Sequence, residues 1–123
     1  MRQFHEMKCL ERTLSVLVVP AFFAASCPAM AASTGYITEI VTNPNNGAVN
    51  FVVNGQRTDL PACANGQRLR WAIDGTNALA QPTIALLLAA HAQNQKVFVQ
   101  GLGSCSSRDQ PNVEAASYVA LIP

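Results

Sequence analysis

The chain has 123 residues, enough for one domain of modest size. Its residues are 50% hydrophobic and only 12% charged, with a formal net charge of +1, so it is neither the highly charged, apolar-poor chain of a disordered protein nor a basic one. A chain without a basic run has no electrostatic footprint for nucleic acid, where phosphate contacts supply most of the affinity.

The first twelve residues carry Arg2, Lys8 and Arg12 against Glu6 and Glu11, and residues 14–25 are apolar and uncharged. Small residues and Pro28 follow, with Ala29 and Ala31 standing at the −3 and −1 positions of an A-x-A processing site. The pattern predicts a cleavable secretory signal peptide over residues 1–31 and a single domain over residues 32–123, either periplasmic or secreted. The apolar run contains Pro20 and falls short of the roughly 20 residues that span a bilayer, so no membrane span is expected in the mature chain. Ala24-Ala25-Ser26-Cys27 loosely resembles a lipoprotein processing site, with Ala24 where a larger aliphatic residue is usual.

Beyond the leader, Arg57, Arg68, Arg70, Lys96 and Arg108 balance Glu39, Asp59, Asp74, Asp109 and Glu114. A neutral domain this small buries only about 60 to 65% of its unfolded surface and needs a staple. Cys9 and Cys27 leave with the leader, and Cys63 and Cys105 are then an even pair in a chain bound for an oxidising compartment. They are predicted to form a disulfide, worth roughly 4 kcal/mol for so long a loop. A metal site is the alternative, but two cysteines without a CxxC and one distant histidine are a poor ligand set.

In chain order, residues 36–42 (YITEIVT) read as a strand running into the turn formers of Asn43-Pro44-Asn45-Asn46-Gly47, and residues 48–54 (AVNFVVN) as its partner. Residues 56–66 are too broken for a regular element and read as a loop held by Cys63. Residues 67–74 alternate again, with Leu69, Trp71 and Ile73 on an apolar face and Arg68, Arg70, Ala72 and Asp74 on a wet one. Pro82 opens a helix rich in Ala and Leu that ends near Asn94. Residues 96–102 and 115–122 supply two more strands around a polar loop, residues 106–112. The order β-β-β-α-β-β, with the helix between strands three and four, predicts a mainly β, OB-fold-like five-stranded Greek-key barrel. An open antiparallel sheet with one packed helix is the competing architecture.

Residues 83–95 contain no Asp, Glu, Lys or Arg, and Ile84, Leu87, Leu88 and His91 share a stripe. A helix apolar nearly all round asks for burial nearly all round, which predicts self-association through residues 82–94. The bland reading is that alanine is a good helix former on any surface.

The mature chain offers little chemistry. His91 is its single histidine, with no second histidine, thiolate or HExxH motif beside it, and it reads as structural rather than catalytic. Gly101-Leu102-Gly103-Ser104-Cys105 lacks the GK[ST] of a phosphate loop and reads as a strand end beside a disulfide. Acid pairs such as Glu39 with Asp59, or Asp74 with Glu114, have no spacing that marks a glycosidase. No catalytic residue, metal or cofactor is therefore assigned. Tyr36 and Trp71 are candidates for stacking on a sugar, since aromatic faces pack against apolar sugar faces, with core packing the competing role. Ser33, Thr34 and Tyr36 at the start of the first strand are the candidate ligand-binding residues.

Residues 34–122 resemble the small B subunits of bacterial AB-type toxins, those of the subtilase cytotoxin kind above all. The likeness rests on Gly35-Tyr36-Ile37-Thr38, on Ala62-Cys63 followed by Trp71, on the helix, and on the closing strands. It implies an OB-fold ring of five subunits that binds sialylated host glycans, with Thr34 at the position of a serine that contacts sugar. The second strand, Phe51-Val52-Val53, lacks a cysteine that those subunits carry. The chain is thus expected to be a non-enzymatic, homo-oligomeric binding module for a glycan or a protein surface. The alternative is an inhibitor or accessory subunit of an exported enzyme, acting through a loop such as residues 106–112.

Overall fold

Runs in which β-branched or aromatic residues alternate with polar ones become strands, because successive side chains of an extended chain face opposite sides. A computed structural model describes residues 30–107 and 110–123, so the expected leader lies outside the described residues except for Met30 and Ala31. The strands are β1 (Ala32–Asn43), β2 (Ala48–Val53), a short β3 (Arg57–Thr58), β4 (Arg70–Asp74), β5 (Lys96–Gly101) and β6 (Glu114–Leu121). One helix, α1 (Gln81–Ala92), stands between β4 and β5. Among the described residues the protein is mainly β with one α-helix, and that helix sits where the sequence places it.

β1 serves two partners. Its first part pairs antiparallel with β5, from Ala32 opposite Gln100 to Tyr36 opposite Lys96, and its second part pairs with β2, from Ile37 opposite Val53 to Asn43 opposite Ala48. The register shifts between Ile37 and Glu39, where the strand changes partner. Sheet order is β2-β4-β6-β5-β1-β3, and the β1–β2 pairing closes five of these strands into a ring with β3 attached to β1. The contact between β4 and β6 is parallel and short, joining Trp71 to Glu114 and Ala72 to Ala115.

Inside the ring, Ile37, Phe51, Val53, Trp71, Val97 and Val99 meet Leu87 and Ala90 of α1 in one core. Ala31 is buried with them, and its carbonyl accepts the Gly101 N–H at 2.8 Å, so packing extends to the leader side of the expected boundary. A carboxylate also lies here. Glu114 is 0% exposed and pairs with Arg57, whose guanidinium sits 3.7 Å from the Trp71 ring centroid. Arg57 donates further to the carbonyls of Arg68 at 2.9 Å and Arg70 at 3.0 Å. The other Glu114 oxygen accepts the Gly103 N–H at 3.3 Å. A Cβ at Gly101 would run into this carboxylate, which is why glycine closes β5. Burial pulls the Arg57 pKa down, and the hydrogen bond and charge of Glu114 push it back up.

Cys63 and Cys105, separated by 42 positions, form the expected disulfide and tie the segment before β4 to the segment after β5. Among the described residues no helix is long and apolar enough to cross a membrane.

Several expectations shift. β1 starts at Ala32 rather than residue 36, because Ser33 and Gly35 turn inward and Thr34 outward, extending the alternation. The expected strand over residues 67–74 begins only at Arg70: tight turns join Gln67 N–H to the Ala64 carbonyl at 2.9 Å and Arg70 N–H to the Gln67 carbonyl at 3.1 Å, and they leave Leu69 exposed. Its other face stays half-exposed at Arg70 and Asp74 but is covered at Ala72, where the segment after β5 crosses and Asn50 Nδ2 donates to Gln110 Oε1 at 3.4 Å. The loop over residues 56–66 supplies β3 and a single 3-10 turn at Ala62–Ala64. The stripe of α1 that meets the core runs through Ile84, Leu87 and Ala90, whereas Leu88 faces outward.

Two stability outcomes follow from this packing. Glu114→Ala leaves Arg57 buried and unpaired and is expected to cost about 3 to 5 kcal/mol, read as a fall in the urea midpoint. Replacing Cys63 and Cys105 together by serine is expected to cost about 2 to 5 kcal/mol in the same measurement.

Candidate ligand-binding face

Residues paired across adjacent strands present their side chains on the same side of a sheet, so the register of β1, β5 and β6 dictates which groups share a surface. Thr34 lies opposite Phe98 and Phe98 opposite Ala120; Tyr36 lies opposite Lys96; Ala32 lies opposite Gln100 and Gln100 opposite Tyr118. Inward of these, Ser33, Gly35, Val97 and Val99 are buried. The outer face therefore carries Thr34, Tyr36, Lys96, Phe98, Gln100 and Tyr118, three aromatic rings among three hydrogen-bonding groups and no carboxylate.

The rings are held in place. Phe98 and Tyr118 meet edge to face, with centroids 6.3 Å apart and planes at 61°. Lys96 Nζ lies 5.7 Å from the centroid of the Tyr36 ring. Tyr36 and Tyr118 are 37% and 55% exposed, so both retain open ring surface. Gln100 Nε2 reaches Met30 Sδ at 3.1 Å. The backbone under Tyr36 is clamped by Asn54, whose Oδ1 accepts the Tyr36 N–H at 2.8 Å and whose own N–H donates to the Tyr36 carbonyl at 3.0 Å. Gly55 fits against the Thr34 carbonyl only because it has no Cβ.

Two of the three residues singled out in the sequence, Thr34 and Tyr36, come together here. Ser33 does not join them. It points inward at 3% exposure, and its Oγ has no hydrogen-bond partner. Phe98, Tyr118, Lys96 and Gln100 escape a reading of the sequence, because only the register brings β5 and β6 beside the first strand; alternation within residues 96–101 is the one local signal that Phe98 and Gln100 face away from Val97 and Val99.

The other candidates have structural roles. Trp71 is fully buried beneath the Arg57 guanidinium and presents no face to a ligand. His91 Nδ1 lies 2.8 Å from the Ile37 carbonyl, at the point where β1 leaves β5 for β2 and that carbonyl needs a partner. Glu39 Oε1 accepts from Arg70 at 2.7 Å, Glu114 is bound to Arg57, and Asp74 Oδ1 accepts from Thr76 at its N–H (3.0 Å) and its hydroxyl (2.6 Å). Gly101 abuts the Glu114 carboxylate, which sets a negative charge rather than a cation beside the Gly101–Gly103 turn. Among the described residues no three His, Cys, Asp or Glu side chains converge as a metal site would require. Compared with known proteins, the chain matches no family model, no curated protein and no solved structure.

Proposed function

We propose that this chain is an exported, non-enzymatic binding module of the OB-fold kind that recognises carbohydrate on the outer face of β1, β5 and β6. The OB-fold reading is supported by the ring of five strands, which the short β4–β6 contact completes, and by the helix between β4 and β5. Export is supported by the composition of residues 1–31 and is compatible with the Cys63–Cys105 disulfide.

The observation that carries the function is the arrangement of Tyr36, Phe98 and Tyr118 on one sheet face with Thr34, Gln100 and Lys96 between and beside them. Sugar rings carry patches of C–H bonds that stack on aromatic faces, and hydroxyl rims that need donors and acceptors at fixed positions. A sheet face supplies both without ordering a loop on binding. Lys96 adds a cation for a carboxylate-bearing sugar, so sialylated glycans, which the likeness to toxin B subunits implies, are the first class to screen.

On a glycan array the protein is expected to bind a defined subset of oligosaccharides. Tyr36→Ala and Phe98→Ala should each weaken that binding about tenfold, or ~1.4 kcal/mol, with Thr34→Ala acting in the same direction. Unchanged binding by folded Tyr36→Ala and Phe98→Ala proteins would contradict the assignment of this face.

A further inference from the structure

A secretory leader is cut after a small residue that has another small residue two places before it. Three bonds satisfy that rule here: the one after Ala31, with Ala29 before it; the one after Ala29, with Cys27 before it; and the one after Ser26, with Ala24 before it. Composition does not choose among them. Packing does.

Ala31 is built into the fold. It is 0% exposed and lies in the core with Leu87, Val97 and Val99. Its carbonyl accepts the Gly101 N–H at 2.8 Å, which adds one rung to the β1–β5 ladder beyond the pair of Ala32 and Gln100. Gly101 is itself buried and abuts the Glu114 carboxylate. A cut after Ala31 therefore takes the acceptor from a buried N–H and opens a gap in the core. It also sets the new α-ammonium on half-buried Ala32, next to buried Ser33, where a charge is costly. Met30 is different. It is exposed, so an ammonium there stays in water, and its Sδ accepts from Gln100 Nε2 at 3.1 Å.

From this packing we infer that the leader is removed at the Ala29–Met30 bond and that the mature chain keeps Met30 and Ala31. Hydrolysis of that bond leaves a carboxylate on Ala29 and an ammonium on Met30. The inference rests on the export reading above. A cut after Ser26 also spares Ala31, but it carries Cys27 into an oxidising compartment as an odd thiol, because Cys63 and Cys105 already pair with each other. Retention of Met30 matters for the candidate face, since its thioether is the contact that holds the Gln100 amide beside Tyr118.

The test is the intact mass and N-terminal sequence of the protein recovered from the periplasm or medium of a bacterium that expresses the full chain. Residues 30–123, lighter by the two hydrogens of the disulfide, are the expected product. In that product the Gly101 amide is expected to exchange slowly with deuterium, because Ala31 accepts its hydrogen. A chain that starts at Ala32, or one that starts at Cys27 with or without a lipid, overturns the inference and leaves the export reading standing. Rapid exchange at Gly101 overturns the packing on which the choice of bond rests. An uncut chain confined to the cytoplasm overturns the export reading and the inference together.

Discussion

The pair formed by Arg57 and Glu114 is the constraint on which the rest of the structure turns. It lies where the ring closes, at the short parallel contact that joins Trp71 of β4 to Glu114 of β6. With only two residue pairs in that contact, backbone hydrogen bonding alone gives β4 and β6 little hold on one another. The guanidinium supplies the hold by stacking on Trp71, bonding two carbonyls of the approach to β4, and gripping the carboxylate at the start of β6. A buried ion pair is a poor source of net stability, because desolvation offsets much of the attraction. Its contribution here is to fix register: a one-residue slip of β6 would carry Glu114 out of reach of Arg57 and to the opposite face of the sheet.

That register has consequences on the far side of the ring. β6 is placed against β5 by the same strand that bears Glu114, and β5 against β1 in turn, so Tyr118, Phe98 and Tyr36 come to share a surface only if each pairing holds. Gly101 and the Asn54-Gly55 turn act at the ends of this chain of contacts, one making room for the carboxylate and the other clamping the backbone of Tyr36. On the proposed reading, a platform held by these contacts loses little conformational entropy on binding.

Much of the fold was legible because local pattern and final environment agree. The alternation of Val49, Phe51 and Val53, the Pro82-led helix and the lone even pair of cysteines each point to the element or bond that forms. Where reading failed, non-local packing decided. Leu69 looks like a core residue by alternation, yet two tight turns and Arg57's grip on neighbouring carbonyls keep it outside. Ala72 looks solvent-facing, yet the segment after β5 covers it. Arg57 and Glu114 read as two ordinary surface charges among ten, since nothing local marks charged residues that will be buried together across 57 positions. The candidate face was half visible for the same reason: Thr34 and Tyr36 sit in one short stretch, whereas Phe98, Tyr118 and Lys96 reach them only through strand pairing.

The most direct test of the binding account is a backbone and aromatic NMR titration of the oxidised protein with an oligosaccharide that it retains on an array. Shifts confined to Thr34, Tyr36, Lys96, Phe98, Gln100 and Tyr118 are the predicted result. Saturable shifts on another surface, with these six residues unmoved, would contradict it.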